Sequence, residues 1–304
     1  MSLISTISTG LGWRYRMLAE KSTGRMNTVP WPLLLSEVVQ HRDYTFTLPE
    51  MKILELDEST DTTLLKVGDY QYWVPRELSP HCLEGVYKEI YFAPHPHHYE
   101  YLGCRIRPGD VVLDCGALEG FFARFALDRG ASVLSVEPWS RAASSLERTF
   151  AKEIAEGRME VCRAALSDRC GTASLTVFPD FPLTNNLWDG DESKPKEEVP
   201  TLTIDELVRQ SRWGHCDFIK MDIEGVERPV VLSGAETLRR DRPTLSIAVY
   251  HLPSGYVDIT GDLQKMDLGY QVTGRGVEYG LDKQWRVATL HAWVADGLRP
   301  KRGK

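Results

Sequence analysis

The stretch VVLDCGALEG, Val111 to Gly120, followed by FFARFA, Phe121 to Ala126, decides the fold of this chain. Val111, Val112 and Leu113 form a short apolar run suited to a strand buried on both faces, and the run stops on an acid, Asp114. The pattern Asp114-x-Gly116-x-x-x-Gly120 then passes straight into a segment of helical composition. Glycines at such a place let a strand turn tightly into a helix and let the backbone approach a ligand that the first helical amides face. A second element stands at the matching distance. Glu137 closes the next apolar run, Ala131 to Val136, 21 residues after Gly116, where an acid accepts hydrogen bonds from ribose hydroxyls. The pair points to a nucleoside-containing cofactor.

Working outward, apolar runs alternate with stretches of helical length. Helices are expected from Gly120 to Arg129 and from Ser140 to Glu156, and buried strands at Met159 to Ala164, Asp217 to Met221 and Thr244 to Tyr250. Tyr270 to Thr273 and Arg286 to Trp293 read as two late strands forming an antiparallel edge pair. That order predicts an α/β fold: a Rossmann-like, doubly wound, mainly parallel seven-stranded sheet with a late antiparallel edge strand. Before it, Tyr44 to Leu48, Met51 to Leu56, Thr63 to Val67 and Tyr70 to Val74 read as extended, with Gly68-Asp69 as a tight hairpin turn. We therefore expect a small N-terminal β-rich cap over residues 1–83 and the cofactor domain over 84–304. Phe178 to Pro200, with four prolines and the acidic run Asp189 to Glu192, reads as an irregular insertion near the carboxyl edge of the sheet, a position from which long loops often contact substrate.

Composition narrows the classes. The 304 residues are 42% hydrophobic and 26% charged, which excludes a mainly disordered or coiled-coil chain. Thirty-six basic against 43 acidic residues give a formal charge of −7, opposite to what a general phosphate-backbone binder needs. Cys82, Cys104, Cys115, Cys162, Cys170 and Cys216 form neither a C-x-x-C pair nor a zinc spacing, and read as buried thiols of a reducing, cytoplasmic setting. The longest apolar stretch, around Val29 to Val39, is broken by Pro30, Pro32, Ser36 and Glu37, too short for a membrane span. The first nineteen residues lack acids and carry Arg14 and Arg16, a faint likeness to a transit peptide, but a frayed N-terminus is the expectation.

The nature of the nucleoside follows from charge. A dinucleotide fingerprint is G-x-G-x-x-G, whose second glycine admits a pyrophosphate; here the loop is Asp114-Cys115-Gly116-Ala117-Leu118-Glu119-Gly120. Asp114 would repel a pyrophosphate and suits the ammonium end of S-adenosylmethionine, and Glu119 adds a second negative charge.

With these residues in view, the sequence is similar to the FkbM-type family of class I S-adenosylmethionine-dependent methyltransferases. The matching pieces are VVLDCGALEGFFARFA (Val111 to Ala126), SVLSVEP (Ser132 to Pro138), AALSDRCGTASL (Ala164 to Leu175), TLTIDEL (Thr201 to Leu207), DFIKMDIEGVE (Asp217 to Glu227) and RPTLSIAVYH (Arg242 to His251). Asp222-x-Glu224-Gly225-x-Glu227 is the most family-specific, and Leu118-Glu119 departs from the usual Asn followed by an apolar residue. The resemblance implies that Asp114, Gly116 and Ala117, with Gly120 and Phe121 of the same loop, line the methionyl part of S-adenosylmethionine. It implies that Glu137 holds the ribose, that Pro138 with Ala164 and Ala165 borders the adenine, and that Asp222 lies close to the sulfonium. The implied activity is O-methylation of a glycan or secondary-metabolite hydroxyl, such as that of a sugar or polyketide.

Methyl transfer to a poorly acidic hydroxyl needs alignment and help with the proton. Asp222, Glu224 and His251, at the ends of successive buried strands, are the candidates. His251 reads as a neutral base near pH 7, and Asp222 with Glu224 reads alternatively as the holder of a divalent cation such as Mg2+. Glu224 and Glu227 have a further reading as caps of the helix that follows. His95-x-His97-His98, held extended by Pro94 and Pro96, reads as a loop facing solvent or substrate, with His95 and His97 on one face. Trp188, Asn185 and Asn186 are candidates to contact a sugar ring. Two rivals remain: a non-catalytic S-adenosylmethionine-binding module, and an NAD-dependent oxidoreductase, which the misplaced glycines disfavour. A nucleic-acid substrate is not expected. Met221-Asp222-Ile223-Glu224 replaces the acid or amide before Pro-Pro of exocyclic-amine enzymes, and none of the six cysteines follows a proline. The expected partner is a small-molecule or glycan acceptor, with a homo-oligomer left open.

Overall fold

The computed structural model describes residues 3–39, 46–180, 182–187, 191–280 and 282–300, and only the backbone of residues 3–11. The chain opens with two helices, α1 (Leu3–Ser22) and α2 (Trp31–Val39), where the sequence pointed to a frayed end without helical pattern. Scattered Ser, Thr and Gly give α1 poor intrinsic propensity, which tertiary contact overrides. Met17, Met26, Val29 and Leu34 are buried in one core with Leu263 and Trp285, and the Trp13 ring lies 4.8 Å from that of Trp285. The run expected at Tyr44 to Leu48 begins outside the described residues, and 46–48 is irregular.

Next comes an antiparallel meander of β1 (Met51–Asp57), β2 (Thr62–Val67) and β3 (Tyr70–Pro75), as the alternation of apolar residues predicts. Gly68, at φ +57°, makes the tight turn between β2 and β3. The meander shares a core with the main domain: Leu65, Val67, Tyr72 and Val74 are buried together with Val112, Val133 and Phe121. Helix α3 (Pro80–Tyr91) starts with Pro80 in its first turn, and its cap Ser79 accepts a hydrogen bond from the Cys82 amide at 3.3 Å. It runs through the boundary expected at 83/84.

The main domain then unrolls as β4 (Val111–Cys115), α4 (Phe121–Leu127), β5 (Ser132–Val136), α5 (Ser140–Thr149), α6 (Ala151–Ala155), β6 (Met159–Cys162), β7 (Ala165–Leu166), β8 (Gly171–Thr176), β9 (Lys196–Leu202), α7 (Ile204–Gln210), β10 (Phe218–Met221), α8 (Glu227–Leu232), α9 (Ala235–Asp241), β11 (Thr244–Ala248), α10 (Gly255–Lys265), β12 (Gln271–Tyr279) and β13 (Trp285–Trp293). Seven strands make one sheet in the order β12-β13-β11-β10-β4-β5-β6. β11, β10, β4, β5 and β6 run parallel, and β13 is antiparallel to both neighbours. This is the doubly wound, mainly parallel sheet with a late antiparallel strand that the sequence predicts. Successive strands leave β4 in opposite directions, so the switch point lies between β4 and β10, where a crevice opens at the carboxyl ends.

The segment read as an irregular insertion is partly regular. Its last residues, from Lys196, belong to β9, which pairs parallel with β7 and antiparallel with β8 in a third small sheet. Of the cysteines, Cys104, Cys115 and Cys216 are buried as expected, but Cys82 and Cys162 are half-buried and Cys170, at the start of the exposed β8 edge, is exposed. Among the described residues no helix is long and apolar enough to cross a membrane.

Candidate functional site

A cavity of about 370 Å³ opens at the switch point, a size suited to a small ligand. Its floor is the carboxyl end of the sheet. Gly116 and Ala117 follow β4, Glu137 and Pro138 follow β5, Ala164 and Ala165 come after β6, and Asp222 and Glu224 follow β10. Its walls are Val86, Glu89 and Ile90 of α3 on one side and 182–187 on the other.

The loop after β4 is shaped by its glycines. Gly116 has φ +78°, and a Cβ there would lie 2.0 Å from the Asp222 carbonyl oxygen, so only glycine lets the ends of β4 and β10 meet. Gly120 has φ +85°, and its space is filled by Phe150 and Leu146. Its role is close packing of α4 on α5 rather than approach to the cavity, which neither Gly120 nor Phe121 lines. Phe121 is fully buried, edge-on to Tyr72 and Tyr87 at 4.9 and 5.5 Å.

Asp114 also stands back from the cavity. It is 0% exposed, and the Lys220 ammonium lies 3.2 Å from its Oδ1. Lys220 also donates to the carbonyls of Cys115 and Gly116 at 3.3 and 2.6 Å. Burial acts to lower this ammonium's pKa, but Asp114, Asp222 and Glu119 outweigh it and hold it above the ordinary value. Burial likewise raises Asp114, with Lys220 opposing. Lys220, which reaches the cavity wall, was missed in the sequence; the only signal was a lone cation inside an otherwise apolar strand.

Glu137 is anchored by backbone. The Leu118 amide donates to Oε2 at 3.0 Å and the Trp139 amide to Oε1 at 2.9 Å. Burial nonetheless pushes its carboxyl up to about 7. Glu119, which accepts from the Phe121 amide at 3.3 Å, is pushed to about 7 by the same cause, as is Glu89 on α3.

Asp222, Glu224 and His251 come together. His251 Nε2 lies 3.6 Å from Asp222 Oδ1 and 3.5 Å from Glu224 Oε1, while Nδ1 contacts Glu227 Oε1 at 2.7 Å. Tyr99 donates its hydroxyl to Asp222 Oδ2 at 2.9 Å. Glu227 also accepts from the amides of Ile223 and Gly225 at 3.3 and 3.1 Å, so it ties down the loop after β10 as well as the imidazole. Burial pulls the His251 pKa down, but the carboxylates of Glu224, Glu227 and Asp222 prevail and hold it well above its ordinary value. The expectation of a neutral base near pH 7 is therefore corrected. His251 sits behind Asp222 and Glu224, with the Tyr250 ring at 4.2 Å.

The histidine cluster differs from its reading too. Residues 92–98 form successive turns, with His95 N–H on the Phe92 carbonyl and His98 N–H on the His95 carbonyl. His97 and His98 are buried. Pro96 packs where Gly276 of β12 lacks a side chain, and its carbonyl accepts from Thr289 of β13. His97 Nε2 meets Glu278 Oε1 at 2.5 Å. Burial pushes His98 down to about 4. Asn185 and Asn186 line the cavity, but Asn185 Oδ1 accepts from the Phe178 amide at 2.8 Å and Asn186 donates to the Thr184 carbonyl at 2.9 Å. Trp188 lies outside the described residues.

Comparison with known proteins gives the chain a family. Residues 114–272 match the family described as the methyltransferase FkbM domain. The chain is 35% identical over 104 residues to the 31-O-demethyl-FK506 methyltransferase FkbM of Streptomyces tacrolimicus, covering 34% of this chain and 39% of that one. It is 26% identical over 225 residues to methyltransferase sdnD of Sordaria araneosa, covering 71% and 77%, and 27% identical over 168 residues to the 2-O-methyltransferase NoeI of Sinorhizobium fredii, covering 48% and 65%. The match thus spans about two fifths of the length of the Streptomyces relative. Among solved structures, a methyltransferase FkbM from Methylobacillus flagellatus is 18% identical with a TM-score of 0.48, covering 68% of this chain and 48% of that one.

Proposed function

The chain belongs to the FkbM methyltransferase domain family, and from that premise we propose that it transfers a methyl group from S-adenosylmethionine to a hydroxyl of a glycan or secondary metabolite. One observation carries the reading: the cavity at the switch point brings Gly116, Ala117, Glu137, Pro138, Ala164, Ala165 and Asp222 to a single lining. The residues fit the cofactor. Glu137 has one lone-pair direction of each oxygen taken by an amide, leaving the others for ribose hydroxyls. Pro138, Ala164 and Ala165 offer an apolar slot for a base. Glu89, Glu119, Glu137, Asp222 and Glu224 face a cavity whose one lining cation among the described residues, Lys220, is committed to Asp114. That acidic surround favours a sulfonium and disfavours a pyrophosphate. S-adenosylmethionine supplies the methyl group.

The acceptor enters between α3 and 182–187. Asp222 and Glu224 reach the cavity, accept the hydrogen bond of the incoming hydroxyl and take its proton as the carbon–oxygen bond forms. His251 positions both carboxylates from behind. The same two acids are where a divalent cation such as Mg2+ would help. The acceptor class rests on the family resemblance, and relatives named as a 31-O-demethyl-FK506 methyltransferase and a 2-O-methyltransferase support transfer to oxygen.

Calorimetric titration with S-adenosylmethionine and, separately, NADH tests the reading, with Glu137→Ala as control. Saturable binding of the former that weakens in the variant is expected and leads to an acceptor screen with sugars and 31-O-demethyl-FK506. Binding of NADH alone would overturn it.

A further inference from the structure

We propose that Asp222, Glu224 and His251 form a three-ligand centre for a divalent first-row transition ion of the Mn2+, Co2+ or Zn2+ class, at the floor of the cavity. The proposal deepens the methyl-transfer reading in the use made of the ion, whereas the binding itself does not depend on that reading.

Three independent features of the geometry point there. One donor atom from each residue lies within 4.8 Å of the other two. The distances from His251 Nε2, 3.6 Å to Asp222 Oδ1 and 3.5 Å to Glu224 Oε1, are long for hydrogen bonds. They match the longer edges of a coordination polyhedron instead: ligand bonds of about 2.0–2.2 Å give donor–donor edges of about 2.8 to 3.6 Å, the upper end being tetrahedral.

Second, two of the facing atoms, on His251 and Asp222, are left without a hydrogen-bond partner. His251 is nine-tenths buried, and its Nε2 and the Asp222 Oδ1 are both buried and unsatisfied. Buried polar atoms are rarely left so, and here two of opposite elements, nitrogen and oxygen, converge on one point.

Third, the outer partners are arranged as around a metal. Metal-binding imidazoles typically give their other nitrogen to a carboxylate, which fixes the tautomer and aims the lone pair. His251 Nδ1 is on Glu227 at 2.7 Å, and Glu227 is itself fixed by the Ile223 and Gly225 amides. Tyr99 occupies the far oxygen of Asp222 and so turns Oδ1 inward. Glu224 is held at φ +59°, a left-handed conformation unusual outside glycine, which directs its side chain toward His251.

The imidazole sets the class of ion. Two carboxylates alone suit Mg2+, but a nitrogen donor favours Mn2+, Co2+ or Zn2+ over a hard oxygen-seeking ion. Three protein donors leave positions open on the side where Asp222 and Glu224 line the cavity. An acceptor hydroxyl entering such a position would lose its proton at a lower pH, as water does on a catalytic ion.

The test uses the full chain stripped with a chelator, without S-adenosylmethionine. Titration with Co2+ followed by visible absorption, and with Mn2+ by electron paramagnetic resonance, is expected to show one saturable equivalent. Glu224→Gln should weaken binding at least about tenfold, and Glu227→Gln about 10- to 100-fold through the outer partner. Should either variant fail to fold by circular dichroism, paramagnetic broadening of the His251 resonance in 15N-histidine-labelled wild type by substoichiometric Mn2+ serves instead. Absence of saturable binding in the stripped wild type, affinity unchanged in both folded variants, or broadening that spares His251 would each overturn the centre. Ion binding without S-adenosylmethionine binding would keep the centre and sink the methyl-transfer reading; the converse would do the reverse.

Discussion

The two ends of the cavity are built by different means. At the end formed by β5 and β6, Glu137 is held by two backbone amides, those of Leu118 and Trp139, so its position follows from the path of the chain. At the end formed by β10 and β11, Asp222, Glu224, Glu227 and His251 are held largely by one another and by Tyr99. A backbone-anchored acid tolerates changes among its neighbours. Groups that fix each other form a unit in which single changes propagate, the situation in which additivity fails. Lys220 stands between, pairing with Asp114 and touching both strand ends through the carbonyls of Cys115 and Gly116.

The largest effect is expected where the ends join. Lys220→Met strips the partner from a fully buried carboxylate and should destabilise the fold by about 3–5 kcal/mol in chemical denaturation. Adding Asp114→Asn should recover part of that loss; a double variant no more stable than the single would break the pairing argument. Next, Glu137→Ala should weaken S-adenosylmethionine binding by about 10- to 100-fold in calorimetry, the weight of one or two charged hydrogen bonds. A change confined to stability, with affinity intact, would move Glu137 from ligand contact to loop support.

The pH dependence sharpens the contrast further. Glu119 and Glu137 titrate near 7 in the fold, against a reference of 4.5. The native state therefore binds more protons than the unfolded chain between these values, and the associated stability is full below about 4.5 and lost as pH rises through about 7. Thermal melts across pH 5 to 7.5 should fall, and Glu137→Gln should flatten the slope; an unchanged slope would assign it elsewhere. The smallest effect is expected from His251→Ala, which should leave S-adenosylmethionine affinity within about twofold, below about 0.4 kcal/mol. A larger loss would show that the two ends are not separable.

The central sheet was legible because strands buried on both faces leave mainly apolar runs, as Val111 to Leu113 does without interruption. Glu137 followed from its spacing after Gly116 and the place of Asp222 from the family resemblance, and the fold brings all three to one cavity. What could not be read depends on contacts between distant segments. Helix α1 lacks a helical signature and packs through Met17 and the Trp13 ring toward Trp285, far along the chain. His97 looked like a loop residue until β12 brought Glu278 to it. The wall supplied by α3 carried no ligand-binding pattern, and the basicity of His251 is set by three acids, of which only geometry reveals the combined effect. Gly120 was read as a ligand-facing glycine, yet the demand on it comes from Phe150, 30 residues later.

The contact between Gly116 and the Asp222 carbonyl reaches beyond the choice of residue at one position. Two main chains touch there with no side chain between them, so neither can shift by a rotamer change. The crevice has no soft joint at its base: any movement that admits or releases a ligand must come from its flanks, α3 and 182–187, while the floor moves as one piece.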